Sequence, residues 1–286
     1  MDGQFFSKQA SKQASKQASE YYAVDIFKLI FALAVVAIHI DPLDGLNGQW
    51  IYKVYQSVIY LAVPFFFTAS GFLMSSKLSL MDGESETKYL GKQIRKYVKL
   101  YLIWTAIYAP LAVYHYLSIQ ISIAALFKQI LIGLFWLGES YNSFILWYLL
   151  SSIYSLFFIF IFRKMKVAYK YILLIGMIIA SLAVLLVQYK YGSFTCTGMV
   201  GLLLGKASQL GARVVTGFFY IPLGIVIYLI KDRISKKYSL FLIAIGLLFE
   251  VVSSGYGFIY EIGRAVATTG IVIAVVNIFW KANEKL

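Results

Sequence analysis

The feature that most constrains the fold is a series of apolar runs, each about 20 residues long, that recurs from residue 22 to residue 280. Hydrophobic residues make up 60% of the 286 residues and charged residues only 14%. Ordinary globular domains are about 45–50% apolar and about 25% charged, so a soluble domain is excluded. We therefore predict an all-α, polytopic membrane protein.

The apolar runs predict about eight transmembrane helices. The first run is too long for a cleaved signal peptide, so we expect it to remain as the first helix. A basic low-complexity tail, residues 1–20, precedes a single predicted membrane domain, residues 21–286. The predicted spans are residues 22–41, 54–76, 100–118, 143–162, 171–188, 214–230, 238–254 and 262–280.

The basic residues predict the orientation of these spans. All but six of the 26 lysines and arginines fall in alternate connections, and the positive-inside rule places those connections in the cytoplasm. Both termini are then cytoplasmic, in a multi-pass protein of the cytoplasmic membrane with the lipid bilayer as its partner. The six exceptions are Lys53, Lys128, Lys190, Lys206, Arg213 and Arg264.

Two other classes of function are not favoured by the composition. A net charge of +13 would indicate nucleic acid in a soluble protein, but these lysines cluster between apolar runs. The single cysteine, Cys196, excludes an intramolecular disulfide and a cysteine-rich metal site. His39 and His115 lie on different predicted spans without a carboxylate cluster, so we expect no metal and no nucleic acid.

Two outer connections, residues 119–142 and 189–213, are long and still apolar. We predict that they form interfacial or re-entrant segments. The second contains four glycines at a spacing that allows helices to approach closely, and simple helix packing explains them as well as any function does. These glycines are Gly198, Gly201, Gly205 and Gly211.

The first apolar run, "DIFKLIFALAVVAIHIDP", carries two ionisable residues, Lys28 and His39. They are eleven residues apart, which is almost three helical turns, so both side chains project from one face about 16 Å apart. Lys28 has a structural alternative, since it can snorkel to the interface or pair with Asp25. His39 is suited to act as a general base that Asp41 orients or charges, although an interfacial histidine is the simpler alternative.

The second run and the segment after it carry further candidate residues. In "AVPFFFTASGFLMS", Pro64 can bend the helix, and Ser70 places a hydroxyl beside a glycine suited to close packing. Ser70 is a candidate for the acceptor site or a packing residue. Four cations then recur every three or four residues and share one helical face, which fits either lipid phosphates or a pyrophosphate clamp. They are Lys92, Arg95, Lys96 and Lys99.

These phrases resemble bacterial integral-membrane O-acyltransferases, known as acyltransferase family three. The family carries an arginine, ten residues and a histidine on its first helix, matched here by "KLIFALAVVAIH". Its phrase "FF-x-x-SGF" is matched by "FFFTASGF", and its phrase "R-R-x-x-R" by "RKYVK". The motifs cover residues 25–104, and "ILWYLL" at residues 145–150 is a weaker fourth match.

Within this family the sequence most resembles the membrane domain of vancomycin-resistance-type membrane-bound serine racemases. The shared wording is "VVAIH", "AVPFFF-x-x-SG" and the "PLG" that ends at Gly224. Those proteins continue into a soluble racemase domain that has no counterpart in these 286 residues. Members of the family usually have ten spans, so we expect the final pair to be absent or truncated here.

The resemblance implies transfer of an acyl group, commonly acetyl from acetyl-CoA, to a hydroxyl of a cell-envelope glycan or another extracytoplasmic acceptor. It implies that His39 is the general base and that Lys28, Arg95, Lys96 and Lys99 hold the CoA phosphates. Lysine replaces the family arginine at positions 28, 96 and 99, which keeps the charge and loses bidentate geometry.

Two alternatives to the enzyme remain open. One is a transporter of a small solute such as serine, for which Glu250 is the main intramembrane acid available for ion coupling. The other is a membrane scaffold that kept the family architecture and lost its chemistry, which the lysine replacements and the low span count favour.

Overall fold

The computed structural model describes residues 22–118, 122–138, 143, 146–191, 215–235, 237–253 and 258–280. These residues form α-helices and short helical turns without a strand, which confirms the all-α prediction. The helices are α1 Tyr22–Ile40, α2 Trp50–Ile59, α3 Ala62–Leu78, α4 Gly83–Ser118, α5 Ile123–Ile132, α6 Trp147–Lys164, α7 Tyr169–Tyr191, α8 Thr216–Ile230, α9 Lys237–Val252 and α10 Phe258–Trp280.

The helices belong to two compact units. The first comprises residues Met1–Ala69 and Ile230–Leu286, and the second comprises Ser70–Leu229. Helices α1, α2, α9 and α10 lie in the first unit, together with the start of α3, and helices α4 to α8 lie in the second. The basic tail, Cys196 and the glycine-rich connection at 189–213 fall outside the described residues, apart from the end of α7.

Six helical segments in the described part of the chain are long and apolar enough to cross a bilayer, which confirms a polytopic membrane protein. The other two predicted spans coincide with α8 and α9, which have only 15 and 16 residues. The count of eight and the orientation of the termini therefore stay predictions. The six segments are Ala23–Ile40, Trp50–Leu78, Gly83–Tyr116, Trp147–Lys164, Tyr169–Leu186 and Phe258–Asn277.

The predicted span 54–76 is divided between two helices. Helix α2 ends at Ile59 and α3 begins at Ala62, with a turn between them. Proline has no N–H to donate to the carbonyl four residues earlier, and its ring clashes with that carbonyl. For Pro64 that carbonyl belongs to Tyr60, so Pro64 accounts for the break between α2 and α3.

Helix α4 begins at Gly83, well before the predicted start at residue 100. The Ser85 amide donates to Asp82 Oδ1 at 2.8 Å and caps this helix start. The same hydrogen bond lowers the pKa of Asp82. With 36 residues α4 is about 54 Å long, which exceeds the roughly 30 Å of a hydrocarbon core, so its first turns lie beyond the core.

The packing of α9 against α10 in the first unit depends on glycines. A Cβ on Gly246 would lie 2.4 Å from the Ala267 amide nitrogen, and one on Gly270 would lie 2.8 Å from that of Ile243. No side chain fits at these positions, so the two backbones are in direct contact. Close approach through small residues is the usual way in which membrane helices associate.

The second unit contains equally close contacts. A Cβ on Gly71 of α3 would lie 2.0 Å from the Ile221 carbonyl oxygen of α8. In the same unit, a π-helical turn at Gly133–Leu137 follows α5. The Tyr101 hydroxyl donates to Leu134 O at 2.7 Å and the Tyr154 hydroxyl donates to Phe135 O at 2.5 Å. These tyrosines satisfy backbone groups that lipid cannot.

We expect Gly246→Ala to destabilise the protein by about 1–3 kcal/mol, because its methyl group overlaps the backbone of α10. Gly91→Ala is the matched control, since it lies inside α4 and has open space at its Cβ position. That change removes the helix penalty of glycine and leaves stability equal or up to about 1 kcal/mol higher. Thermal unfolding in detergent measures both, and equal stability of the two variants would contradict the glycine-packing account.

Candidate functional site

Helix α1 places Lys28 and His39 on one face. The helix is uninterrupted from Tyr22 to Ile40, so the eleven-residue spacing gives the axial offset of about 16 Å that the sequence predicts. Lys28 Nζ lies 3.1 Å from Asp25 Oδ1, which confirms the predicted contact with Asp25. His39 lies in the last turn and its side chain is exposed. The roles of both residues in chemistry stay predictions.

The chain leaves α1 through a strained residue. Asp41 has a φ of 44°, in the left-handed region that residues other than glycine rarely adopt. Its amide still donates to Ala37 O at 2.9 Å, and its Oδ2 accepts a hydrogen bond of 2.5 Å from the Tyr52 hydroxyl. Oδ1 is buried and has no hydrogen-bond partner among the described residues. Tyr52 therefore fixes the Asp41 carboxylate two residues from His39.

Lys92, Arg95, Lys96 and Lys99 all lie on α4, as their spacing predicts, and all four are exposed. Arg95 Nε donates a hydrogen bond to Gly91 O at 3.4 Å. We name these four residues the basic face. It lies in the first half of α4, which is longer than a hydrocarbon core requires. We therefore expect these cations near the lipid phosphates, where a soluble anion also reaches them.

Ser70 lies on α3 next to Gly71, in the second unit. Its hydroxyl lies close enough to interact with the phenols of Tyr97 and Tyr148. Tyr97 is half-buried and lies on α4, two residues from Arg95. Ser70 is thus part of a hydroxyl cluster, and its role as an acceptor residue or a packing residue stays a prediction.

A buried ion pair anchors the start of α4. Arg163, at the end of α6, donates from Nε to Glu86 Oε1 at 2.6 Å and from Nη2 to Glu86 Oε2 at 2.7 Å. Its Nη1 donates to Val167 O at 2.7 Å, and its guanidinium lies 4.6 Å from the centre of the Tyr169 ring. The Tyr169 hydroxyl also donates to Glu86. The bidentate pair joins the helix of the basic face to the connection between α6 and α7.

The chemistry available is that of cations, hydroxyls and one exposed imidazole. Within the described residues, no three histidine, cysteine, aspartate or glutamate side chains are placed to hold a metal ion. An apolar cleft in the second unit is lined by Tyr101, Thr105, Leu134 and Leu146, among others, and by none of the predicted site residues.

Sequence reasoning missed Tyr52, Tyr97, Tyr148 and the Glu86–Arg163 pair. A tyrosine one turn into a helix after a polar turn is a weak signal, because aromatic residues are common at membrane interfaces. Glu86 and Arg163 are 77 positions apart, and no local pattern connects them. In the sequence, the only indication of Arg163 was a charge directly after the predicted apolar span 143–162.

Comparison with known proteins agrees with this helical architecture and its motifs. The profile of the acyltransferase family, described as an acyltransferase domain, matches residues 21–283. The chain therefore belongs to acyltransferase family three, a family of multi-pass membrane proteins. No solved structure is significantly similar to the chain.

The curated relatives are enterococcal racemases. An amino-acid racemase of Enterococcus faecalis is 29% identical over 236 residues, which are 79% of this chain and 31% of that protein. The serine/alanine racemase of Enterococcus gallinarum is 34% identical over 91 residues, which are 32% of this chain and 13% of that protein. The chain thus spans less than a third of the length of these relatives.

We expect Glu86→Gln to destabilise the protein by about 3–5 kcal/mol, because it leaves the Arg163 guanidinium without its buried counter-charge. Glu84→Gln, two residues earlier, is the matched control. Glu84 pairs with Lys88 at the surface with a side chain that is 78% exposed, so its loss costs about 0–1 kcal/mol. The measurement is thermal unfolding of purified protein, and a Glu86→Gln variant as stable as Glu84→Gln would show that the pair does not anchor α4.

Proposed function

We propose that the chain transfers an acyl group, acetyl in the simplest case, from acyl-CoA to a hydroxyl of a cell-envelope glycan or another extracytoplasmic acceptor. Membership of the acyltransferase family over residues 21–283 supports acyl transfer as the reaction class. The observation that carries the proposal is the α1 face, on which a cation and an imidazole are separated by about 16 Å along one continuous helix.

The donor would bind through its phosphates. The basic face offers an exposed guanidinium at Arg95 and exposed ammonium groups at Lys96 and Lys99. Lys28 offers a further cation near the start of α1, the end of this helix that is predicted to face the cytoplasm. Its contact with Asp25 is exposed, so exchange of that partner for a phosphate costs little. An extended pantetheine arm then spans the distance from Lys28 to His39.

His39 would act as the general base. Its imidazole takes the proton of the acceptor hydroxyl while the oxygen attacks the thioester carbonyl and forms a C–O bond. Collapse of the tetrahedral intermediate breaks the C–S bond, and the leaving thiolate takes the proton from the imidazolium. The products are the acyl ester and CoA with a free thiol, and His39 returns to its starting state.

Asp41 and Tyr52 would prepare the acceptor end of this face. The Tyr52 hydroxyl holds Oδ2 of the Asp41 carboxylate, and Oδ1 remains without a partner among the described residues. A carboxylate held in this way can accept a hydrogen bond from an acceptor hydroxyl or from the imidazole N–H. Asp41 is then a positioning residue, and its left-handed backbone is the strain expected at a functional turn.

A second candidate function is transport of an amino acid across the membrane. It is favoured by one observation, the alignment of 79% of this chain with a protein named as an amino-acid racemase. Uptake of serine into proteoliposomes without consumption of acetyl-CoA would support transport. Release of CoA thiol that depends on an acceptor would support acyl transfer.

Calorimetry with acetyl-CoA on the detergent-purified chain tests donor binding. We expect micromolar binding by the parent and roughly tenfold weaker binding in each of Lys28→Ala, Lys96→Ala and Lys99→Ala, because each removes a charged hydrogen bond to phosphate. Lys128→Ala on α5 removes the same charge from the opposite predicted side and should bind like the parent. No binding by the folded parent would contradict the donor assignment.

Replacement of the two histidines tests the general base. His39→Ala should lower acyl transfer by about 10²–10⁴-fold, the contribution of a positioned base, without loss of the folded protein. His115→Ala is the matched control and should keep its activity. The assay is release of CoA thiol from acetyl-CoA by membranes supplied with purified envelope glycan, and an active His39→Ala variant would exclude His39 as the base.

A further inference from the structure

Glu250, on α9 of the first unit, has no role in the proposed acyl transfer. The residue is 1% exposed, and neither carboxyl oxygen has a hydrogen-bond partner among the described residues. An ionised carboxylate in such surroundings loses its hydration without compensation, at a cost of several kcal/mol. A buried acid within an apolar helix is a default candidate for a functional site in a membrane protein.

Among the described residues, the charged and titratable groups that interact with Glu250 come from α10. A Cβ on Gly263 would lie 3.0 Å from the Glu250 amide nitrogen, so the turn that carries Tyr260, Glu261 and Arg264 is adjacent. These three residues interact electrostatically with Glu250. Arg264 Nη1 lies 3.1 Å from Glu261 Oε1, and the Arg264 guanidinium lies 4.4 Å from the centre of the Tyr260 ring.

Helix α2 also packs against α9. Its titratable residues are Tyr52, Lys53 and Tyr55, and none of them is among the groups that interact electrostatically with Glu250. The Tyr52 hydroxyl is already bonded to Asp41. In the described part of the chain, the charged groups close to Glu250 are therefore those of the α10 cluster.

Charge balance in this cluster assigns a proton to Glu250. Arg264 and Glu261 form a pair whose net charge is zero, with side chains that are 19% and 35% exposed. An ionised Glu250 would add an uncompensated negative charge to the least exposed position of the cluster. A protonated Glu250 adds none, and an uncharged carboxyl is the less costly group to leave without a partner.

We propose that Glu250 is a proton-binding site, and that loss of its proton transfers Arg264 from Glu261 to Glu250. The proton leaves the carboxyl O–H for a water molecule or hydroxide. The resulting carboxylate accepts hydrogen bonds from the guanidinium, and the more exposed Glu261 is solvated in its place. Because Arg264 interacts with both carboxylates, a change of its side-chain rotamer suffices. The chain would respond to proton concentration through the unit that also carries His39.

Infrared spectroscopy of the full chain, purified in detergent, tests this inference through the carbonyl stretch of a protonated carboxylic acid. The parent should show this band at neutral pH, with an intensity of one acid per chain, and lose it on alkaline titration. Glu250→Gln should lack the band. Glu261→Gln should also lack it at neutral pH, because Arg264 no longer pairs with Glu261 and pairs with an ionised Glu250 instead.

Glu84→Gln is the control, because Glu84 is exposed and lies in the second unit, so this variant should keep the band. A band that persists in Glu250→Gln, or a parent without one, would overturn the proton site. If Glu250→Gln fails to fold, Glu261→Gln provides the test. A band that persists in Glu261→Gln overturns the exchange of Arg264. None of these readouts depends on acyl transfer, so their failure is distinguishable from failure of the proposed enzyme.

Discussion

The absence of water from the bilayer core is the constraint on which the rest of this structure depends. Every backbone donor and acceptor there needs a partner within the protein, so helices are the available form for this chain. The same requirement applies to the π-helical turn after α5, which departs from the regular α-helix. Two tyrosine hydroxyls, from Tyr101 and Tyr154, donate hydrogen bonds to its carbonyls. Gly71 and Gly246 allow helix backbones to come into contact. Such close packing is needed because helices in lipid gain no hydrophobic free energy when they associate.

Most of the polar side chains described above are held by a partner within the protein. Asp25 partners Lys28, Tyr52 partners Asp41, and Arg163 is held by the bidentate carboxylate of Glu86. Each pairing holds a polar group in a defined place. Glu250 departs from this pattern, since its oxygens have no partner in the described part of the chain. A buried acid with neither oxygen hydrogen-bonded is where a function beyond packing is to be expected in a membrane protein.

Much of the fold could be predicted from the sequence because hydrophobicity and helical periodicity are local. The all-α class, the common face of Lys28 and His39, and the contact of Lys28 with Asp25 required only positions along one helix. The early start of α4 was missed because its first turns are polar. The length of an apolar run predicts only the part of a helix that lies within lipid. The Tyr52–Asp41 and Glu86–Arg163 contacts were missed because they join different helices, and one sequence carries no signal for such pairs. The predicted roles of His39 and of the basic face depend on the family rather than on any contact seen here.

The Glu86–Arg163 pair has a consequence for how the protein is made. The two residues are 77 positions apart, so Glu86 is synthesised and α4 begins to insert into the membrane before Arg163 has been translated. Until α6 is complete, the carboxylate has no counter-ion and the start of α4 has no fixed anchor. The helix of the basic face therefore acquires its lasting position late in biogenesis, as membrane segments assemble in the order of their translation. A chain that stalls before Arg163 would leave an unanchored segment for quality-control proteases to recognise.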